Sequence, residues 1–147
     1  MRSLPLIVLL FASGLSAEVA TFDVPEWGFT VEAIAGSGNG PPRRLEPGST
    51  AVVAPNDVLW VSAYNPRELA GIVALNELAP VHRLDFRGSR VGELKAANYE
   101  TIGRLVELRH LSIPVTADAD ALAAIAALEH LTELELCYGT SSDAALA

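Results

Sequence analysis

One short apolar skeleton occurs three times in the second half of the chain. Its copies read VHRLDF at 81–86, LRHLSI at 108–113 and LTELEL at 131–136. The central leucines, Leu84, Leu111 and Leu134, are 27 and 23 residues apart. Repeats of this period build stacked arrays in which each unit buries an apolar row against the next. VLWVS at 58–62 places Leu59 25 residues before Leu84, so we expect about four units, the first of them degenerate.

The segments between these runs have the periodicity of helices. In NPRELAGIVALNEL, Asn65 is a candidate N-cap, Pro66 suits the first helical position, and Glu68 stands three residues after the cap. DADALAAIAAL predicts another helix capped by Asp118 or Asp120, and GELKAANYETIG predicts a third. The helical positions that we expect to be buried are Leu69, Ile72, Val73, Leu75 or Leu78, Leu94, Tyr99, Ile102, Leu122, Ile125 and Leu128. Short strands alternating with helices imply parallel strands joined by right-handed crossovers.

The repeated skeleton is similar to the leucine-rich repeat family, in which Leu-x-x-Leu-x-Leu is followed three residues later by a small polar residue. Ser89 and Thr116 stand at that position after the first two copies, whereas Gly139 stands there after the third. The segments TADADALAAI and TSSDAALA resemble the sequence pattern Thr-x-x-Asp-Ala-x-Leu, which is common in bacterial members of the family. The resemblance covers residues 59–147 and implies an α/β fold, a short solenoid with a parallel concave sheet and convex helices. A compact two-layer α/β domain is the alternative.

The chain before the repeats divides into two parts. Residues 1–17, MRSLPLIVLLFASGLSA, have an early cation, a short apolar run and then small residues, which is typical of a secretory signal peptide. An uncleaved anchor is the alternative, but the apolar run is too short to span a bilayer. Residues 18–57 are rich in Pro, Gly and β-favouring runs and predict a small β-rich N-terminal cap. Residues 58–147 form the predicted array, whose last unit is incomplete.

Net charge and cysteine content limit which partners the chain can bind and whether it can form a disulfide. Without residues 1–17 the chain has nine Lys and Arg against eighteen Asp and Glu, a net charge of −9. We therefore expect no nucleic-acid partner and, once the signal is removed, no stable membrane span. Cys137 is the only cysteine, so no internal disulfide can form. We expect a secreted, periplasmic or cell-envelope location.

The candidate binding surface follows from strand alternation. With Leu84 and Phe86 pointing inward, their neighbours point outward onto the concave face. The same register in all units predicts two columns of outward side chains. Within each column, neighbouring residues come from strands about 4.8 Å apart. The predicted binding residues are Trp60, Arg83, Asp85, Arg87, His110, Ser112, Glu133 and Glu135. In this register Arg83, His110 and Glu133 form one column, and Trp60, Asp85, Ser112 and Glu135 form the other.

A metal site, a catalytic triad or a phosphate-binding loop could also be imagined from single residues of this chain, but their spacing does not favour any of the three. His110, Glu133, Asp85 and Cys137 lack the spacing of a recognisable metal motif, so we expect no metal and no cofactor. Ser112, His110 and Asp85 would stand on a flat open sheet without a pocket or oxyanion donors, so we expect no catalytic residues. The glycines of GSGNGPP are followed by two prolines and not by the Lys-Ser/Thr of a phosphate loop, which favours a hairpin loop.

The sequence thus predicts a non-catalytic, exported repeat module that binds protein or peptide, with Trp60 as an apolar anchor and Arg83 and Arg87 as hydrogen-bonding groups. A structural cell-envelope array that self-associates through its edge is the alternative. A small exported hydrolase is a third class, because Ser, His and acidic residues are present. The last strand would leave an open sheet edge, which predicts either a fragment of a longer array or a homodimer through the C-terminal edge strand.

Overall fold

The computed structural model describes residues 19–26, 28–86, 94–114 and 119–137, and it has a mixed α/β fold. The signal-like residues 1–17 and the predicted site residue Arg87 lie outside this part of the chain, as do Ser89, Thr116, Asp118 and Gly139. The main sheet has six strands in the order β3-β2-β5-β6-β7-β8. Its strands are β2 (Phe29–Ile34), β3 (Pro42–Arg44), β5 (Val58–Ala63), β6 (Val81–Phe86), β7 (His110–Pro114) and β8 (Glu133–Cys137).

The last four strands run parallel and follow one another in sequence order. The three repeated skeletons form β6, β7 and β8, and Leu84, Leu111 and Leu134 are direct register partners across them. Val61 of β5 pairs with Leu84 and begins this aliphatic row. The prediction of parallel, in-phase aliphatic rows is therefore confirmed for these strands.

A helix follows each of the first three parallel strands. They are α2 (Leu69–Asn76), α3 (Ala96–Ile102) and α4 (Ala119–Ala126). The Asn65 side chain accepts a hydrogen bond from the Arg67 N–H at 3.0 Å, which confirms Asn65 as the N-cap, and a 3-10 turn at Pro66–Glu68 leads into α2. In α3 the Asn98 side chain closes the first turn by accepting from the Lys95 N–H at 2.8 Å. Asp120 lies within the first turn of α4, so it is not the cap.

One apolar core joins the parallel strands to the helices. The expected helix positions are confirmed as buried at Leu69, Ile72, Leu75, Leu94, Tyr99, Ile102, Ile125 and Leu128, with Val73 and Leu78 partly buried against them. Leu122 is the exception, because it is 44 % exposed while the smaller Ala121 takes the buried position in α4. Leu134 is 40 % exposed whereas Leu111 is fully buried, because Leu134 lies on the outermost described strand.

Residues 19–57 are rich in strands, and these strands belong to two different sheets. β1 (Ala20–Asp23) and β4 (Thr50–Val53) pair with each other in a separate antiparallel sheet. β2 and β3 form an antiparallel hairpin, and β2 pairs antiparallel with β5. Both strands therefore extend the main sheet beyond β5. The GSGNGPP segment lies in this hairpin connection, where Ala35–Gly38 form a single helical turn, α1.

None of the helices in the described parts of the chain has the length and apolarity that a membrane crossing requires.

Candidate functional site

The outward face is the side of the six-stranded sheet opposite α2, α3 and α4. Register pairing places Trp60 of β5 beside Arg83, Arg83 beside His110, and His110 beside Glu133. We call these four residues the outward row. Ser62, Asp85, Ser112 and Glu135 form the adjacent row by the same pairing. Each side chain of a row comes from a different strand, so the parallel ladder sets the spacing of the site.

The prediction that Trp60 shares a column with Asp85 is wrong. An irregularity between Leu59 and Trp60 shifts the β5–β6 register, so that Leu59 pairs with Val81 and Trp60 with Arg83. One extra residue, His82, is accommodated in β6 at this point. The predicted alignment of Leu59 with Leu84 is wrong by two residues, because Val61 is the residue that pairs with Leu84, and Trp60 therefore lies in the row of Arg83.

The outward row contains a fixed aromatic and cationic pair. The guanidinium carbon of Arg83 lies 5.4 Å from the centroid of the Trp60 ring, within the range of a cation–π interaction. The Arg83 Nε donates a hydrogen bond to Oδ2 of Asp85 at 2.9 Å. The side chain of Arg83 retains 28 % of its exposure, and Trp60 is partly exposed. The pair is therefore held in place and still reaches solvent.

His110 lies between carboxylates on both neighbouring strands. Its Nε2 is 3.2 Å from Oδ1 of Asp85, and its Nδ1 is 2.9 Å from Oε2 of Glu133. Oε2 of Glu135 is farther away, at 4.0 Å from Nε2. Neither ring nitrogen has a carboxylate aligned along its N–H direction, so these close approaches are short contacts and not well-directed hydrogen bonds.

The face is less open than strand alternation predicts. Asp85 is 4 % exposed and Ser112 is fully buried, although both lie on the outward face. The side chains of Glu133 and Glu135 keep 69 % and 53 % of their exposure. The accessible part of the predicted site thus consists of a Trp60–Arg83 end and an acidic β8 end, joined by buried polar groups.

The hydroxyl of Ser112 does not contact His110 in a nucleophile arrangement. Its Oγ lies 3.1 Å from Sγ of Cys137, within hydrogen-bond distance for a sulfur partner. The carboxylate of Asp85 contacts His110 directly, so two members of the imagined triad meet while the hydroxyl is engaged elsewhere. Within the described residues, no three or more His, Cys, Asp and Glu side chains are grouped so that they could hold a metal ion.

Two residues of the extended row come from strands that the sequence did not place in this sheet. Glu32 of β2 pairs with Trp60, and Arg44 of β3 pairs with Glu32, which continues the outward row by two positions. The alternation of polar Thr30 and Glu32 with buried Phe29 and Val31 was a visible signal for a strand exposed on one face. It did not reveal which strand would be the partner.

The helical turn α1 covers one end of the outward face. A Cβ atom built at Gly38 would lie 3.3 Å from Cγ2 of Val58 and 3.6 Å from Nδ1 of His82. Val58 is 3 % exposed beneath this turn. Burial lowers the pKa of His82 below its ordinary value, and the nearby Arg109 and His130 lower it further while Glu107 partly opposes them.

The chain matches no family model, no curated protein and no solved structure. The leucine-rich-repeat resemblance therefore stays an interpretation of the residues.

Proposed function

We propose that the chain is a non-catalytic, exported module that binds a protein or peptide through the outward row. The carrying observation is the Trp60–Arg83 pair, in which the guanidinium lies 5.4 Å from the ring centroid and Asp85 fixes its Nε. Trp and Arg are the residues that most often dominate binding energy at protein interfaces. A pair that is held in place before binding loses less conformational entropy when a ligand arrives.

The proposed architecture is a short leucine-rich-repeat-like solenoid. It is supported by four sequential parallel strands, by the aliphatic row Val61, Leu84, Leu111 and Leu134, and by a helix after each of the first three strands. In such an array the exposed side of the sheet is a continuous surface to which every unit contributes one strand. Secretion or retention in the periplasm or cell envelope is proposed from the signal-like composition of residues 1–17.

The absence of a catalytic role is part of the proposal. It is supported by the position of Ser112, which is fully buried with its Oγ at hydrogen-bond distance from the Cys137 thiol. A nucleophile needs a base within reach and access to substrate, and Ser112 is engaged with the thiol and closed to solvent. A hydrolase activity abolished by His110→Ala would overturn this part of the proposal.

The binding proposal is tested with a random peptide library displayed on phage and selected on the full chain. Enriched peptides are then synthesised, and their affinity is measured for the wild type and for Trp60→Ala. We expect a loss of about tenfold or more, because truncating a central aromatic anchor costs about 2 kcal/mol or more. Leu122→Ala is the matched control, since it removes a large side chain that is 44 % exposed on α4, on the other side of the sheet.

Arg83 is less suited than Trp60 to a first test. Reversing its charge would place a carboxylate beside Asp85, which is 4 % exposed, and would destabilise the fold as well as the surface. Arg83→Gln adds no carboxylate, but it removes the charge together with the guanidinium that contacts Asp85 and the Trp60 ring. Selected peptides that bind Trp60→Ala and the wild type equally would show that the outward row is not the binding surface.

A structural role in a cell-envelope array is the second candidate. The observation that favours it is that Arg83 and His110, two of the four residues of the outward row, already contact the buried Asp85, which leaves less of the row for a ligand. In that role the proposed interaction is self-association through the edge. Failure to enrich any peptide, together with concentration-dependent self-association of the chain, would favour this candidate over binding.

A further inference from the structure

The strand β8 has a backbone edge that could pair with a strand of another protein. Among the strands of the described chain, β8 pairs with β7 on one side and with none on the other. In a sheet ladder, half of the backbone N–H and C=O groups of such a strand point away from its neighbour. These groups can pair with a further extended segment.

The side chains of β8 divide by chemistry between the two faces of the sheet. Leu134 and Leu136 continue the helix-side aliphatic rows and are 40 % and 43 % exposed. Glu133 and Glu135 lie on the outward face with side chains that are 69 % and 53 % exposed. A strand added at this edge would place its alternate residues beside the leucines and beside the glutamates, because directly opposed residues share a face.

This alternation selects the chemistry of the incoming strand. Opposite charges directly across two strands stabilise the pairing, and like charges oppose it. Basic residues are therefore favoured beside Glu133 and Glu135, and aliphatic residues beside Leu134 and Leu136. A second copy of β8 in antiparallel pairing would bring its own glutamates onto the same face, so charge opposes self-pairing.

We infer that β8 accepts, by strand addition, an extended segment of a partner protein in which Lys or Arg alternates with aliphatic residues. Backbone hydrogen bonds would supply affinity and the alternate side chains would supply selectivity. This surface is separate from the Trp60–Arg83 end of the outward row, and the inference does not depend on ligand binding there.

The test uses the full chain and a short synthetic peptide with capped ends in which Lys and Val alternate. Binding is measured by isothermal titration calorimetry at low and moderate salt. Two comparison peptides have the same length: one alternates Glu with Val, and one carries the same Lys and Val residues in two blocks. We expect the alternating basic peptide to bind about tenfold or more tightly than either comparison. Equal affinity for the blocked peptide would overturn the inference, because it would show a general attraction to negative charge.

Two N-methylated versions of the probe test the backbone pairing. Methylation at every Val and methylation at every Lys remove the N–H donors from opposite edges of the same strand. Strand addition uses one edge, so we expect one version to lose binding and the other to retain it. Equal binding by both versions would contradict strand addition.

Protein variants locate the site on β8. The double change Glu133→Gln and Glu135→Gln is expected to weaken binding of the basic probe by about tenfold. Glu129→Gln is the matched control, since Glu129 is exposed, precedes β8 and belongs to neither row. A full chain that sediments as a dimer and fails to bind the probe would show that a second copy occupies the edge, and the inference would be wrong.

Discussion

The Oδ1 atom of Asp85 lies 3.2 Å from Nε2 of His110 on the neighbouring parallel strand, while Oδ2 of Asp85 accepts a hydrogen bond from Arg83. One buried carboxylate thus connects the two central residues of the outward row. The side chain of Asp85 keeps 6 % of its exposure, so its charge is compensated mainly by protein groups.

We expect Asp85→Asn to lower the free energy of unfolding by about 1–3 kcal/mol, because the amide keeps the shape of the side chain but loses the charged acceptor. Urea denaturation followed by circular dichroism measures this change. Glu135→Gln is the control: its carboxylate is 53 % exposed and 4.0 Å from His110, so its effect should stay within about 0.5 kcal/mol. Equal effects of the two changes would show that Asp85 does not organise the row.

Two leucines in the same aliphatic row should differ in their contribution to stability. Leu111 is fully buried between β6 and β8, whereas its register partner Leu134 is 40 % exposed. We expect Leu111→Ala to cost about 2–5 kcal/mol, since it leaves a cavity in the core. Leu134→Ala should cost roughly 1 kcal/mol, because much of its side chain already contacts water.

Chemical denaturation of both variants checks this difference. The denaturation slope should be unchanged, so that a shift in midpoint reports stability alone. Similar losses for both leucines would mean that Leu134 is covered in solution. That result would also argue against an accessible β8 edge.

The repeated skeleton was sufficient to predict the central part of the fold. Leu84, Leu111 and Leu134 occupy equivalent positions, and a shared apolar interior requires that equivalent positions stack. The N-cap of the 3-10 turn that leads into α2 was equally predictable, because Asn65 and Pro66 act through local hydrogen bonding and backbone geometry. Such features depend on residues close in sequence or on a strict repeat.

Features that depend on a single local irregularity were not predictable. The register shift beside Leu59 has no signature in the residue pattern, and Trp60 pairs with Arg83, two residues before the predicted partner Asp85. The pairing of β2 with β5 is antiparallel, and β2 carries no copy of the repeated skeleton. The sequence therefore did not predict that Glu32 and Arg44 would extend the outward row. Burial of Asp85 depends on the lengths and directions of neighbouring side chains, which alternation alone does not specify.

The helical turn α1 depends on glycine at one position more than at another. Gly38 has φ +96° and an added Cβ would meet Val58 at 3.3 Å, whereas Gly36 has φ +63° and an added Cβ would meet open space. We expect Gly38→Ala to cost about 1–3 kcal/mol from backbone strain, with crowding of Val58 in addition. Gly36→Ala should cost less, roughly 1 kcal/mol, because its φ lies in the left-handed α region and its Cβ would meet open space.

Thermal unfolding of the two glycine variants measures the difference. Crowding is separated from strain by making Gly38→Ala in a Val58→Ala background as well. A smaller loss in that background would place α1 against Val58 in solution, and an unchanged loss would indicate that strain alone determines the effect.

The buried ring of His82 should make stability depend on pH. Desolvation, with Arg109 and His130 nearby, lowers the pKa of His82 in the folded state below its ordinary value of 6.5. The unfolded chain therefore binds a proton at this residue more readily than the folded chain does. The stabilising effect of the neutral ring is fully present above about pH 6.5 and is lost as the pH falls from there through the folded-state pKa.

The free energy of unfolding should accordingly rise with pH through this window, with a contribution from His82 of at most about 1.4 kcal/mol per pH unit. Urea titrations at a series of pH values for the wild type and His82→Gln measure the slope. The variant should have the smaller slope whatever its absolute stability, because it has no proton to bind at this position. His130→Gln removes an exposed histidine and should leave most of the slope in place. A slope unchanged in His82→Gln would show that folding does not shift the pKa of this ring.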